Sequence, residues 1–153
     1  MKKIVIPHNS LYGNSKKLAI DIAEGLNDKF DVTIGRITEI NPKDVSDNLY
    51  GLIIASRIEG FGADAKMRKF ITEVNSYRKE PIPKTAVCYT HLLKWKKFFK
   101  KSMDKTLRKS TNIVNIYPEF LEVKMNTRKG PAADGQEQKI KDFINNLKIH
   151  LGS

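Results

Sequence analysis

Short apolar runs alternate with amphipathic stretches along almost the whole chain. The run at 50–56 is apolar almost throughout, as in a central strand that is covered on both faces, and residues 84–89 form another strand-like run. Residues 31–37 are rich in β-branched side chains and have an alternating pattern, which is typical of a strand more exposed on one side. The pattern predicts five strands, over residues 3–6, 31–37, 50–56, 84–89 and within 113–123, the last interrupted near Pro118.

The stretches between these strands carry apolar residues at helical spacing. Leu18, Ala19, Ile22 and Leu26 recur on one face of a predicted helix. Four helices are predicted, over residues 14–26, 65–77, 95–109 and 136–151, with a short helical turn after the break at Asn41-Pro42. Strands and helices in alternation imply right-handed crossovers and a parallel sheet. A length of 153 residues suits one domain, spanning 1–153.

The loop after the first strand carries the most informative chemistry. Ser10, Tyr12 and Ser15 supply hydroxyl groups, and Gly13 allows a tight turn just before a predicted helix. Unpaired N–H groups and the dipole at a helix N-terminus favour a phosphate. The dinucleotide pattern G-x-G-x-x-G and the Walker pattern are both absent. A plain N-capped helix is the alternative reading, because Ser and Asn are preferred caps.

This loop resembles the FMN-phosphate loop of the flavodoxin family, usually Ser/Thr-x-Thr-Gly-Asn-Thr. Ser10, Gly13, Asn14 and Ser15 match that pattern, and Tyr12 replaces a Thr. The resemblance implies a flavodoxin-like three-layer α/β/α sandwich with a five-stranded parallel sheet in the order 2-1-3-4-5. In that fold the ligand crevice lies at the carboxyl ends of the strands.

Two further loops are similar to the flavin-binding loops of the family. One follows the predicted third strand and reaches Gly62, and the other runs from Thr90 to Trp95 after the predicted fourth strand. The segment from Ser56 to Gly62 also resembles the branch that includes menaquinone-dependent protoporphyrinogen oxidases. Phe61 and Trp95 are candidates to stack on the flavin, although Trp95 has the alternative role of packing its helix on the sheet. The resemblance implies these cofactor-binding residues: Ser10, Leu11, Tyr12, Gly13, Asn14, Ser15, Ser56, Arg57, Ile58, Glu59, Gly60, Phe61, Gly62, Thr90, His91, Leu92 and Trp95.

Cysteine content and charge limit the classes of protein that remain. The single Cys88 excludes an internal disulfide, and no Cys/His cluster has the spacing of a metal site. No apolar run is long enough to cross a membrane, and a strand rather than a signal peptide follows the first residues. We therefore expect a cytoplasmic protein. Its formal net charge of +11, from 28 Lys and Arg against 17 Asp and Glu, concerns partners rather than fold.

Much of this charge lies in one short segment, from Lys94 to Lys109, which includes the predicted helix over residues 95–109. A solvated helix face is the simplest reading of such a run. An acidic redox partner that docks there ranks first among the functional readings. An anionic membrane surface ranks second. Nucleic acid ranks last, because no recognised nucleic-acid motif accompanies the basic residues.

The expected function is that of an FMN-binding carrier that shuttles electrons between redox partners. No side chain is expected to be catalytic, because the cofactor carries the redox chemistry. His8 and His91 are expected at strand ends that face the crevice. Two alternatives remain: an FMN-dependent, quinone-linked oxidoreductase of the protoporphyrinogen oxidase type, and a flavodoxin-fold binding module that has lost FMN.

Overall fold

The computed structural model describes residues 1–59, 62–92 and 96–153, with only the backbone of Glu59 and Lys96. The described strands are β1 (Lys3–His8), β2 (Asp31–Arg36), β3 (Leu49–Glu59), β4 (Gly62–Ala63), β5 (Lys84–His91) and β6 (Leu121–Lys124). The described helices are α1 (Asn14–Leu26), α2 (Pro42–Ser46), α3 (Ala65–Tyr77), α4 (Lys96–Lys109) and α5 (Gln136–Gly152).

Five strands form a parallel sheet in the order β2-β1-β3-β5-β6. This confirms the predicted order 2-1-3-4-5, with β4 as an additional short strand that pairs antiparallel with β3. The register places His8 beside Ala55, and Arg57 beside Thr90. The carboxyl ends of β1, β3 and β5 therefore meet at one edge of the sheet.

Alternation along the strands divides the core between the two faces of the sheet. In β1, Ile4 and Ile6 pack with α1 and α5. Val5, which lies between them, packs with the helices of the opposite face, α2, α3 and α4. Side chains of successive strand residues point to opposite faces, so a strand apolar at every position supplies both cores. The result is the predicted three-layer α/β/α sandwich.

The apolar stripes of the helices explain which face of each is buried. α1 and α3 have the predicted bounds, and their apolar stripes are buried. In α4, Phe99, Met103 and Leu107 are buried, whereas Phe98 is 52% exposed and points away from the core. No described helix is both long and apolar enough to cross a membrane.

The structure corrects the ends of several strands, including β1, which extends from the predicted end at residue 6 to His8. β3 continues to Glu59 and β5 to His91, so Arg57, Ile58, Thr90 and His91 are strand residues and not loop residues as expected. Added pairing explains both extensions, because Arg57 pairs with Thr90 and Ile58 pairs with Ala63 of β4. The last strand is regular only over β6, and single bridges at Ile113 and Ile116 continue its path along β5.

Candidate functional site

The loop between β1 and α1 forms the first wall of the site. Gly13 is the N-cap of α1 with φ +93°, a backbone conformation that favours glycine. No side chain of the described residues caps this helix, and its first turn contains no acidic residue. A Cβ added at Gly13 would meet nothing within 4 Å. The N-terminus of α1 therefore lacks a side-chain cap among the described residues and has open space beside Gly13, an arrangement suited to an anion.

Ser10 and Ser15 use their hydroxyl groups differently. Ser15 is buried and donates a hydrogen bond of 3.1 Å to the carbonyl oxygen of Ser56 in β3. Ser10 is also buried, but its hydroxyl oxygen has no hydrogen-bond partner among the described residues. A buried hydroxyl without a partner is costly. Ser10 is thus the loop residue whose side chain has an unused donor.

A buried polar cluster fixes the start of the loop. The Asn9 amide donates to the Asp64 carboxylate over 2.6 Å, and Asp64 is completely buried. Arg57 donates from Nε to the Asn9 carbonyl oxygen over 3.2 Å, and the same Nε lies 3.7 Å from Asp64 Oδ2. Asp64 also caps α3 by accepting from the Lys66 amide over 2.9 Å. β1, β3 and α3 are therefore joined directly beneath the loop.

The middle of the loop faces the surface. Leu11 is 60% exposed and Tyr12 is 46% exposed. The Asn14 side-chain amide donates to the carbonyl oxygen of Arg128 over 2.8 Å, in the segment that follows β6. The side chain of Asn14 is thereby held against another loop.

His8 ends β1 and orders the beginning of the loop. It is buried, and its Nδ1 accepts a hydrogen bond of 3.3 Å from the Ser10 amide. Burial lowers the pKa of His8, and the positive charges of Lys16 and Arg36 lower it further, while Glu39 opposes them. An Nδ1 that accepts from an amide carries no proton, so His8 is neutral with its hydrogen on Nε2.

The end of β3 forms the second wall of the site. The Ser56 side chain is buried, and β3 continues through Arg57 and Ile58 into the antiparallel pairing with β4. The Ala63 amide of β4 donates to the Ser102 hydroxyl of α4 over 2.7 Å. The predicted ligands Gly60 and Phe61 lie outside the described residues, as does the side chain of Glu59.

The end of β5 forms the third wall. Thr90 is buried, and His91 and Leu92 are half-buried. Tyr89 points to the opposite face, where its ring stacks on Phe99 of α4 at 3.9 Å between centroids. The predicted stacking residue Trp95 lies outside the described residues. The described candidates from all three predicted loops thus lie on segments that meet at the carboxyl edge of the sheet.

Two contributors to the site were missed from the sequence. Asp64 directly precedes a helical pattern, and an Asp in that position is a common N-cap signal. The segment around Arg128 is followed by Gly130-Pro131, which marks a turn. Neither signal reveals that the residue contacts the first loop. The cleft of about 1070 Å³ between α1 and α5 adjoins this region, with Asn14 and Thr90 in its lining.

Comparison with known proteins adds evidence at the level of fold. No protein-family model and no curated protein sequence matches the chain. A solved flavodoxin from the domain Archaea is similar with a TM-score of 0.75 and 14% identity, covering 99% of this chain and 99% of that chain. Flavodoxin 1 from Bacillus cereus gives a TM-score of 0.75 and 16% identity, covering 97% and 98%.

The chain has the flavodoxin-like fold. Rubredoxin oxygen:oxidoreductase from Desulfovibrio gigas is similar as well, with a TM-score of 0.78 and 14% identity. That match covers 99% of this chain but 36% of the other protein, so the likeness is confined to one part of a longer chain. In the flavodoxin-like fold the ligand crevice lies at the carboxyl ends of the parallel strands, which is where the three walls meet.

Proposed function

We propose that this protein binds FMN and carries electrons between redox proteins. The observation that carries the proposal is the first wall of the site, a single loop that contains both the buried, unpartnered hydroxyl of Ser10 and the N-terminus of α1, which no described side chain caps. In a flavodoxin-like fold this position suits the terminal phosphate of a mononucleotide.

The described residues fit the phosphate of FMN. Backbone N–H groups at Gly13, Asn14 and Ser15 would hold it, and the Ser10 hydroxyl would add a donor. The exposed lysines Lys16 and Lys17 of the first turn add positive charge nearby. The side chains of Asn14 and Ser15 already donate to backbone carbonyls of the protein, so the backbone amides carry most of this role.

The flavin ring would lie against the second and third walls. Its polar edge needs donors and acceptors, and backbone groups near the ends of β3 and β5 would supply them. Phe61 and Trp95 remain our proposed stacking residues. When bound, FMN supplies reversible electron transfer, while the protein binds it, orients it and limits the access of water.

The proposal is tested by the colour of the purified protein and by FMN titration of the apoprotein in a calorimeter. We expect a yellow protein that releases FMN on denaturation. Gly13→Val should lower FMN affinity by at least tenfold, because a β-branched side chain strains φ +93° and fills the phosphate site.

Gly135→Val is the matched control. Gly135 is the N-cap of α5 with φ +82°, has no side-chain cap, and leaves a new Cβ equally free of neighbours. This variant carries the same kind of backbone strain at a different helix and should keep FMN affinity within about threefold of the parent. A colourless parent protein that does not bind added FMN would contradict the proposal. Equal losses of FMN affinity in the two variants would contradict it as well.

The preferred electron acceptor distinguishes an electron carrier from an enzyme. The FMN-loaded protein should exchange electrons rapidly with a redox protein and turn over slowly with soluble quinones. Rapid steady-state reduction of quinone would instead favour a quinone-linked oxidoreductase.

A further inference from the structure

The exposed side of α4 carries a dense stripe of positive charge. Its cations recur at intervals of three and four residues, which places them on one side of the helix. The stripe, called the basic face below, consists of Lys97, Lys100, Lys101, Lys105, Arg108 and Lys109, all exposed. At 1.5 Å per residue it is about 18 Å long.

The charges of the basic face are not neutralised within the described part of the protein. No ion pair within 4.0 Å joins any of its cations to a carboxylate among the described residues. Asp104 is the single carboxylate on α4, and it is half-buried. The cations line a shallow recess of about 660 Å³ together with Asp104. Like charges at this spacing repel each other, so an anionic surface placed over them would be attracted.

The basic face begins beside the candidate site. β5 ends at His91, and α4 starts at Lys96, so Lys97 lies at the carboxyl edge of the sheet. The far end of α4 lies near the opposite edge, because Ile113 pairs with Ile82 just before β5. A macromolecule on the first half of α4 therefore also lies next to the edge where we place FMN.

The burial of α4 argues against a membrane as the partner. A helix that lies in a membrane surface inserts an apolar face. The apolar residues Phe99, Met103 and Leu107 are buried in the core and unavailable, which leaves Phe98 as the exposed apolar side chain of α4 in its described part. Nucleic acid could bind the basic face through phosphate contacts alone. Such binding would not explain why the basic face lies beside the proposed flavin site.

We propose that the basic face is the docking surface for an acidic electron-transfer protein. This rests on the proposed function, and it specifies the partner by its charge. Docked on the basic face, such a donor would lie close enough to pass one electron from its reduced iron–sulfur centre to FMN if FMN occupies the site. Complementary charge steers association and raises its rate by about 10 to 10³-fold at low salt.

The test uses the full chain loaded with FMN and an acidic [2Fe–2S] ferredoxin as the probe. The variant K97E/K100E/K101E reverses the half of the basic face beside the site. The variant K29E/K43E/K79E changes the net charge by the same amount at three exposed lysines near the amino ends of the strands. Stopped-flow rates of electron transfer are measured in 20 mM and 500 mM salt.

We expect the first variant to slow electron transfer at least tenfold in low salt, and the second less than threefold. Both differences should largely vanish in high salt, where the Debye length is only about 4–5 Å. Equal losses in the two variants would show that net charge alone matters and would overturn the docking surface. No loss in either would overturn it as well.

Binding is measured separately, by fluorescence anisotropy of labelled ferredoxin with the FMN-loaded protein and with the apoprotein. Binding that depends on Lys97, Lys100 and Lys101 in both forms supports the docking surface even if FMN proves absent, so the two proposals fail independently. A labelled 20-nucleotide single strand and phosphatidylserine vesicles serve as competitors. If either binds the basic face more tightly than ferredoxin at 150 mM salt, the acidic-protein assignment is wrong.

Discussion

The side-chain amide of Asn9 donates a hydrogen bond of 2.6 Å to the buried carboxylate of Asp64. These residues are separated by 55 positions, and the bond joins the loop after β1 to the N-terminus of α3. Asp64 therefore has two structural roles, as the cap of α3 and as the anchor of the candidate phosphate loop. The shape of that loop depends on a residue that lies outside it.

Replacement of Asp64 tests this anchoring. Asp64→Ala should lower the free energy of unfolding by about 3 kcal/mol, because it removes the helix cap and leaves Asn9 and Arg57 without their buried partner. Asp64→Asn keeps an acceptor for the Lys66 amide and should cost less. Urea unfolding of the apoprotein measures both, and Asp134→Ala, at an exposed position, should stay within about 0.5 kcal/mol. A loss for Asp64→Ala no larger than for Asp134→Ala would contradict the anchoring role.

Ser10→Ala and Ser15→Ala should give opposite results. Ser10→Ala removes a buried hydroxyl without a partner, so the apoprotein should be as stable as the parent or more stable, while FMN affinity falls about tenfold or more. Ser15→Ala removes the donor to the Ser56 carbonyl and should cost about 1 kcal/mol of stability with a smaller effect on affinity. Calorimetric titration and thermal unfolding are run on both. Similar profiles for the two variants would show that the hydroxyls are equivalent.

His8 should make stability depend on pH. Burial first, and then Lys16 and Arg36, lower its pKa below the ordinary value of 6.5, so the unfolded chain binds the proton more readily than the folded protein. Stability should therefore fall as the pH drops below about 6.5 toward the folded-state pKa, by at most about 1.4 kcal/mol per pH unit. Above about pH 7 the contribution of His8 is constant.

His8→Asn is the informative variant for this pH dependence. Its side-chain oxygen can still accept from the Ser10 amide, but it does not titrate. The free energy of unfolding, measured between pH 5 and 8, should decline less in the variant. Some decline remains, since burial also lowers the pKa of His150. Parallel curves for variant and parent would exclude His8 as the source.

Gly25 lets α1 and α5 pack closely. A Cβ at this position would overlap the Cγ2 methyl group of Ile144. Gly25→Ala should therefore destabilise the protein by about 1–2 kcal/mol despite the higher helix propensity of Ala. Gly152→Ala, where a Cβ meets nothing within 4 Å, is the matched control and should be neutral.

Ile144→Leu in the Gly25→Ala background removes the branched methyl group at the overlap and should restore part of the loss. Urea unfolding of the four proteins forms a double-mutant cycle. If the two changes are simply additive, the overlap is not the cause of the destabilisation.

The strand and helix pattern could be predicted well because it depends on local periodicity. α1 and α3 have their predicted bounds, since their apolar residues recur on one face. The ends of β3 and β5 could not be predicted in this way, because their additional residues are held by partners in other strands, as in the pair of Arg57 with Thr90. β4 could not be predicted either, because it is only two residues long and is held by its pairing with β3.

The candidate site was predicted in its segments but not in its contacts. The position of Gly13 before a helix already indicated the N-terminal cap. The Asn9–Asp64 bond and the contact of Asn14 with Arg128 join residues far apart in the chain, so no local pattern reveals them. The use of the Ser15 hydroxyl within the protein was likewise hidden, although the residue itself was identified.

The hydroxyl of Ser102 links the two proposals mechanically. It accepts from the Ala63 amide and donates to the Phe99 carbonyl oxygen, so β4 is tethered to the first half of α4. Any sliding or tilting of this helix must either carry β4 with it or break the hydrogen bond between Ala63 and Ser102. If a partner protein docks on the basic face, it would therefore contact the helix that is hydrogen-bonded to the second wall of the candidate site.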